Sequence, residues 1–424
     1  MIKRQLAVSA LCWVGIAVLV PSAATGQSAV GQQLLEHIAI SGEMRVRGEF
    51  DDRTSGLDPD AATLLRTRLG ILAEPSRQTS VYLQISDSRI FGEEQNTLTD
   101  ASADRLDLHQ AYIDWTPKGN VTLRIGRQEL AFADERLIGS VNWANVTRAF
   151  DGLRIMAKHS SWTLDGFATV LAEKDATLAT GVDPRQNDGA DTDRTFFGAW
   201  FTTGSFELFA LGDRNASTVA FDNVDRYTLG ALGNQTVGAW RLKGTVALQL
   251  GRQTPAVAPR QDISAYMLSG SLSYAVPAVS HPSVGVQVDY LSGDKSPLDG
   301  THTAFNTLYA TNHAFYGYMD LFLSPSNQTG FLGLLDTMLR TSARPKQWIL
   351  RADAHRFQLA RKAVTGERTI GVELDLTVSR MLPGGLALLA GYSVFNPSSA
   401  AEAVPVALGG DVLQWTYLQG TVRF

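Results

Sequence analysis

Between Ile40 and Phe424 the chain divides into about eighteen short stretches of alternating apolar and polar residues, and the gaps between them are long and short in turn. In the first stretch Ile40, Gly42, Met44, Val46, Gly48 and Phe50 take one parity, while Ser41, Glu43, Arg45, Arg47 and Glu49 take the other. Successive side chains of a strand point to opposite faces, so such a segment offers one face to lipid and one to water. The split recurs at Trp240, Leu242, Val246, Leu248 and Leu250 against Arg241, Lys243, Thr245 and Gln249, and again at Ile370, Val372, Leu374, Leu376 and Val378 against Glu373, Asp375 and Thr377. A few repeats would suit a soluble sandwich, but here the pattern covers nearly the whole chain.

The rhythm of the gaps separates the two architectures. Short connections fall at 75–78, 117–120, 158–161, 203–204, 233–238, 277–282, 342–346 and 381–385. Long ones fall at 51–62, 88–104, 131–149, 172–193, 212–225, 251–264, 292–330, 358–368 and 396–412. Short periplasmic turns alternating with long extracellular loops produce this spacing. The sequence therefore predicts an all-β fold: a single transmembrane antiparallel β-barrel of about eighteen strands over residues 39–424, with sixteen strands open as the other even count.

The only continuous apolar run is at the N-terminus. Lys3 and Arg4 precede Leu6 to Val20, and Pro21, Ser22, Ala23 and Ala24 follow, so residues 1–24 read as a secretory signal cleaved between Ala24 and Gln27. Cys12, the single cysteine, lies inside it, which leaves a thiol-free mature chain suited to an oxidising compartment. The formal charge is −5, and loss of Lys3 and Arg4 makes the mature chain two units more negative. Global charge therefore predicts no nucleic-acid partner, and any preference for anions must come from local placement of cations.

At the other end, Thr416, Leu418, Gly420, Val422 and Phe424 alternate with Trp415, Tyr417, Gln419, Thr421 and Arg423. A final strand that stops on an aromatic is similar to those recognised by the outer-membrane assembly machinery. Trp115, Trp162, Trp240, Trp348 and Trp415 are expected at the lipid interface, where amphipathic rings anchor barrels. A barrel of this width cannot be filled by its own wall side chains, so the lumen is a channel or holds a plug. Too few residues precede the first strand for a plug domain, whereas 292–330 is long enough to fold inward.

Three stretches narrow the class. Gly126-Arg127-Gln128-Glu129-Leu130 leads through Asp134-Glu135-Arg136-Leu137 to Trp143, Asn145, Arg148 and then Phe150-Asp151-Gly152. A second runs from Phe305-Asn306-Thr307-Leu308-Tyr309 through Asn312-His313 to Phe315-Tyr316-Gly317-Tyr318-Met319-Asp320, and a looser third holds Gly371, Glu373, Asp375 and Ala390-Gly391-Tyr392. Together they resemble the alginate export family of outer-membrane proteins. The resemblance implies a passive, monomeric, eighteen-stranded channel in the bacterial outer membrane, surrounded by lipid, through which an anionic polysaccharide or another anionic or hydroxylated solute passes. The alternative is a general nutrient porin for small solutes without strong charge preference.

On the polar parity, Arg45, Arg47, Arg66, Arg68, Arg124, Arg154, Arg241, Lys243 and Arg351 are candidate pore-lining cations, with Arg127 added from the first family stretch. A guanidinium grips a carboxylate by two parallel hydrogen bonds and keeps its charge, and rings of fixed cations favour anions in pores. A second reading stays open, because Glu43, Glu49, Asp114, Asp289, Asp353, Glu373 and Asp375 share that parity and can pair with the arginines for structure alone. Glu129, Asp134, Glu135, Arg136 and Arg148 likewise either line an infolded constriction or tie that loop to the wall. The 305–320 stretch is either a sugar-stacking track or an aromatic loop packed on the rim. Neither H-E-x-x-H nor G-x-S-x-G occurs and the seven histidines lack metal-ligand spacing, so no catalytic residue, metal or cofactor is expected.

Deleting Phe424 is expected to lower the amount of folded, heat-modifiable barrel in the membrane. Normal levels would contradict the role given to the last strand.

Overall fold

The computed structural model describes residues 37–91, 106–174, 192–217, 223–255, 259–296, 299–406 and 408–424. The expected signal segment with Cys12, and parts of six long connections, lie outside the described residues.

The strands are β1 (Ile38–Asp52), β2 (Asp60–Ser76), β3 (Thr79–Ile90), β4 (Leu106–Lys118), β5 (Val121–Gln128), β6 (Phe150–Lys158), β7 (Trp162–Lys174), β8 (Thr192–Thr203), β9 (Phe206–Ser217) and β10 (Asn223–Val237). They continue with β11 (Trp240–Thr254), β12 (Gln261–Ala275), β13 (Ser283–Leu291), β14 (Thr301–His302), β15 (Leu334–Ala343), β16 (Trp348–Leu359), β17 (Thr369–Met381), β18 (Leu386–Pro397) and β19 (Leu413–Arg423). β14 is a two-residue bridge that pairs in parallel with the start of β12, while β13 pairs directly with β15. The other eighteen strands form the wall. Each pairs antiparallel with its chain neighbours, and β1 pairs with β19 to close the barrel. Long connections lie on the extracellular side and tight turns, such as Ser76 to Thr79 and Val237 to Trp240, on the periplasmic side.

Closure is a chemical requirement, since hydrocarbon offers no partner to an unpaired N–H or C=O. At the seam the amide of Gly42 donates to the Phe424 carbonyl at 2.8 Å and the amide of Phe424 donates back at 3.1 Å. The Phe424 ring covers Gly42, where a Cβ would come within 2.3 Å of it. On the lumen side Glu43 accepts from Arg423 of β19 at 2.8 Å and from Arg66 of β2 at 2.6 Å, so one carboxylate ties three adjacent strands.

Burial runs opposite to that of a soluble protein. Ile40, Met44, Leu242, Leu248 and Leu418 are exposed to the membrane, while Arg45, Arg47, Arg66, Asp289, Asp353, His355, Glu373 and Asp375 are buried inside. Much of the interior is occupied by two inward-folded loops, 129–149 and 299–333, whose Leu130, Leu137, Ile138, Phe305, Tyr316 and Phe322 are all nearly inaccessible. The 305–320 stretch thus packs inside the lumen and not on the rim. Trp115, Trp240 and Trp348 are exposed on the outer wall, as expected of interface anchors. Trp415 is a correction: it is 1% exposed and faces the lumen, packed edge-on to Trp143 at 5.9 Å and against Tyr417 at 4.6 Å. Its strand parity, shared with Tyr417 and opposite to the exposed Leu418, overrides the interfacial preference of its ring.

Gly126 and Gly152 face each other across β5 and β6 at the base of the first infolded loop. A Cβ would lie 2.1 Å from the Ala111 carbonyl at Gly126 and 2.2 Å from the Ala168 carbonyl at Gly152, and neither backbone oxygen can swing aside. Gly152→Val is expected to destabilise the barrel by about 1–3 kcal/mol, read as a lower temperature for loss of the compact form on unboiled gels. An unchanged transition would show that the strand spacing tolerates the added atoms.

Candidate functional site

The first infolded loop presents three consecutive carbonyls, those of Asn142, Trp143 and Ala144, without secondary structure to satisfy them. Buried backbone acceptors need donors, and β1 and β2 supply them. Arg45 donates to all three, at 3.0, 3.0 and 2.9 Å. Arg66 donates to Asn142 O at 3.0 Å and Ala144 O at 2.9 Å, Arg47 to Trp143 O at 2.9 Å, and Arg68 to the Asn142 side chain at 3.1 Å and to Thr147 Oγ1. Glu43, Glu49 and Glu129 are carboxylates beside this set, Glu49 bonding Arg47 at 2.6 Å and Glu129 lying 3.8 Å from Arg68. The four arginines face inward, as their parity requires, and their donors are turned to holding a loop.

The other loop charges also act as ties. Glu129 bonds His109 at 2.7 Å, Asp134 bonds Lys243, and Glu135 accepts from the Thr311 hydroxyl. Arg136 lies 3.0 Å from Asp289 and 3.5 Å from Asp134, with its guanidinium 4.0 Å from the centre of the Phe315 ring. Arg148 donates to the carbonyls of Tyr309 and Gly139. Burial opposes charge at both Asp134 and Arg136. It is outweighed at Asp134 by Arg136 and Lys243, which hold the carboxyl below its usual range, and at Arg136 by Asp289, which pushes the guanidinium up.

The two loops meet as one body. Tyr309 N donates to Leu137 O at 2.9 Å and Gly139 N to Tyr309 O at 2.8 Å, the two bonds of one parallel bridge, and Thr311 N donates separately to Glu135 O at 2.9 Å. Further along, the 299–333 loop is pinned to the wall where Met319 N donates to Glu373 at 3.0 Å, Tyr318 N to Asp375 at 3.3 Å, and Arg53 to Met319 O at 3.2 Å.

On the periplasmic side of this body lies a cavity of about 730 Å³. Its walls carry Arg241, Lys243, Arg340 and Arg351 together with Ser269, Ser271, Ser273 and Ser283, and its roof carries Asp134, Arg136, Trp143, His313, Phe315 and Tyr318. The carboxylates bound to these cations are Asp134 on Lys243 and Arg136, Asp289 on Arg136, and Asp353 on both Arg340 (2.7 Å) and Arg351 (3.3 Å). Among the described residues Arg241 donates only to the neutral Asn234 side chain, at 3.0 Å. Five cations thus stand against three directly paired carboxylates, with Asp336 within electrostatic reach of Arg136 and Asp375 of Arg340. The roof holds a stack in which Trp143 lies 4.2 Å from His313 and His313 5.0 Å from Tyr318, with Arg47 over the far face of Trp143 at 4.4 Å.

The sequence candidates therefore divide among several places. Arg45, Arg47, Arg66 and Arg68 cradle the loop. Arg124 and Arg154 are paired across adjacent strands with Asp114 and Asp165, each at 2.7 Å. Arg127 is a correction to the pore-lining set: it shares its face with the membrane-exposed Ile125 and is held by Asp151 at 2.8 Å on that outer side. Arg241, Lys243 and Arg351 come together in the vestibule. Sequence reasoning missed Arg340, which the alternation Asp336, Met338, Arg340 would have placed inward, and the stack around Trp143, which joins residues far apart in sequence. Among the described residues no group of three or more His, Cys, Asp or Glu is arranged to hold a metal.

An eighteen-stranded barrel with lipid-facing apolar walls, polar lumen and infolded loops defines a passive outer-membrane channel. Solved porins share this fold. OpdO of Pseudomonas aeruginosa is 13% identical with a TM-score of 0.61, covering 93% of this chain and 98% of that one. A BenF-like porin from Pseudomonas fluorescens Pf-5 is 12% identical with a TM-score of 0.59, covering 92% and 99%. OccK2 (OpdF) of Pseudomonas aeruginosa, solved in complex with glucuronate, is 12% identical with a TM-score of 0.56, covering 92% and 98%. Comparison with curated proteins finds no match. The alginate export family profile matches residues 37–405, and the chain belongs to that family.

Replacing Arg45 and Arg66 together by Gln is expected to release the 142–144 carbonyls, so that single-channel conductance rises and becomes noisier while the barrel stays folded. Unchanged conductance and noise would mean that the loop is held without them.

Proposed function

We propose that this channel conducts small anionic, hydroxylated solutes of the uronate type, and that its charge preference arises in the vestibule from Arg241, Lys243, Arg340 and Arg351. The observation that carries the reading is the surplus of guanidinium and ammonium groups over carboxylates on that wall, interleaved with serine hydroxyls. Carboxylates are drawn by the cations, and sugar hydroxyls find donors and acceptors in the serines. Shared neutralisation by Asp134 and Asp353 keeps the attraction modest, which suits conduction, because a solute held tightly at one point would block the pore. Membership of the alginate export family and a fold relative solved with glucuronate agree with a uronate cargo.

The second reading is a small-solute porin with little charge preference. It is favoured by the ion pairs that already occupy Lys243, Arg136 and Arg340. The readings separate in a planar bilayer under a salt gradient. Anion selectivity that falls on joint replacement of Arg241 and Arg351 by Gln, with block by added oligouronate that weakens in the same variant, is the expected result. A reversal potential near zero in the parent and no uronate block would favour the neutral porin.

A further inference from the structure

The outer wall carries a feature that solute passage does not use. On β16, Arg351, Asp353 and His355 point into the lumen, so Arg356 points to the membrane, where it is exposed. Its direct neighbours in register are Thr337 on β15 and the membrane-exposed Val372 on β17. Below this level the outer wall is apolar, with Val286, Leu339, Leu374 and Leu376 exposed. Arg356 thus stands at the upper edge of the lipid-facing belt, on the extracellular side.

Immediately above it, the connection from β16 to β17 adds exposed Arg361, Lys362 and Arg368. The loop's backbone is fixed: Leu359 N donates to Arg368 O at 2.8 Å, Arg361 N donates to Leu332 O at 2.9 Å, and the Arg361 side chain donates to Gly293 O at 3.1 Å. Arg361 and Arg368 both lie within electrostatic reach of the Tyr290 hydroxyl, which stacks with Tyr266 at 5.6 Å in the adjoining aromatic girdle. Among the described residues none of these four cations is ion-paired with a carboxylate, and the loop's one acid, Glu367, accepts from Ser399 at 3.0 Å.

A charged side chain on the membrane face is costly unless it reaches the interface and an opposite charge. Among the described residues the surface supplies no such charge to Arg356, Arg361, Lys362 or Arg368, and they stand at the level of the outer leaflet's headgroups. We propose that this patch docks the phosphate-bearing headgroup of an outer-leaflet lipid, with Arg356 and Arg368 gripping phosphate oxygens and the Tyr266–Tyr290 pair lying against the sugar or glycerol beneath. Arginine suits the task because its fork matches phosphate oxygens two at a time. The patch anchors the rim of the wall that bears the second infolded loop.

The test uses the detergent-solubilised full-length barrel and radiolabelled lipopolysaccharide, with retention measured on the immobilised protein. Joint replacement of Arg356, Arg361 and Arg368 by Gln is expected to weaken retention by about tenfold or more, and R356Q alone to weaken it measurably. A control, Lys158→Gln at a periplasmic turn, is expected to leave it unchanged. Dephosphorylated lipopolysaccharide should bind the parent as weakly as intact lipid binds the triple variant. Equal retention by parent and triple variant, or full displacement of the lipid by millimolar inorganic phosphate, would overturn the assignment; the latter would mark a general anion site.

Discussion

Backbone amides and carbonyls inside hydrocarbon have only one another as partners, and the architecture follows from that constraint. It demands a closed sheet, and here closure is completed where β1 meets β19 through the Gly42–Phe424 amide pair, with Glu43 linking Arg423 and Arg66 on the lumen side. Eighteen wall strands then enclose more space than their inward side chains can fill. Much of the remaining volume is occupied by two extracellular loops that turn inward and join.

An infolded loop brings its own unsatisfied carbonyls into a poorly solvated interior, where each costs about as much as a lost hydrogen bond. The guanidinium groups of Arg45, Arg47, Arg66 and Arg68 are the answer to that problem. Multiple donors in a rigid fork allow Arg45 alone to satisfy three successive carbonyls. The same logic governs the second loop, whose amides at Tyr318 and Met319 are received by Asp375 and Glu373. The donors of β1 and β2 and the acceptors of β17 stand only two strands apart, so both loops are tied to one sector of the wall.

Much of this was legible in the sequence. Strand alternation is a local signal and the gap rhythm is set by turn chemistry, so strand number, connection pattern and the inward parity of the lumen charges were available from spacing alone. The partners of those charges were not. Arg45 meets carbonyls almost a hundred positions away, and no local pattern announces that a loop will consume its donors. Trp415 misled because its residue type suggests the interface while its parity points inward, and parity governs. Arg127 was assigned with its motif, although an inward Arg124 already turns position 127 outward. Arg241 and Arg351 line the cavity beneath the infolded loops, and Lys243 lines it while tied to Asp134 of the first loop.

The proposed function divides selectivity and construction between two groups of cations in one lumen. The most direct test of that division is local charge in the vestibule. Ser271 lies opposite Lys243 in the β11–β12 register and lines the cavity, and the sequence has no cysteine beyond Cys12. Ser271→Cys therefore adds one reporter thiol, and the parent chain serves as the control for Cys12. Its modification rates by anionic and cationic methanethiosulfonates of similar size, applied from the periplasmic side, should differ several-fold in favour of the anionic reagent, with the ratio falling at high salt. Equal rates, or faster reaction with the cationic reagent, would contradict an electropositive vestibule.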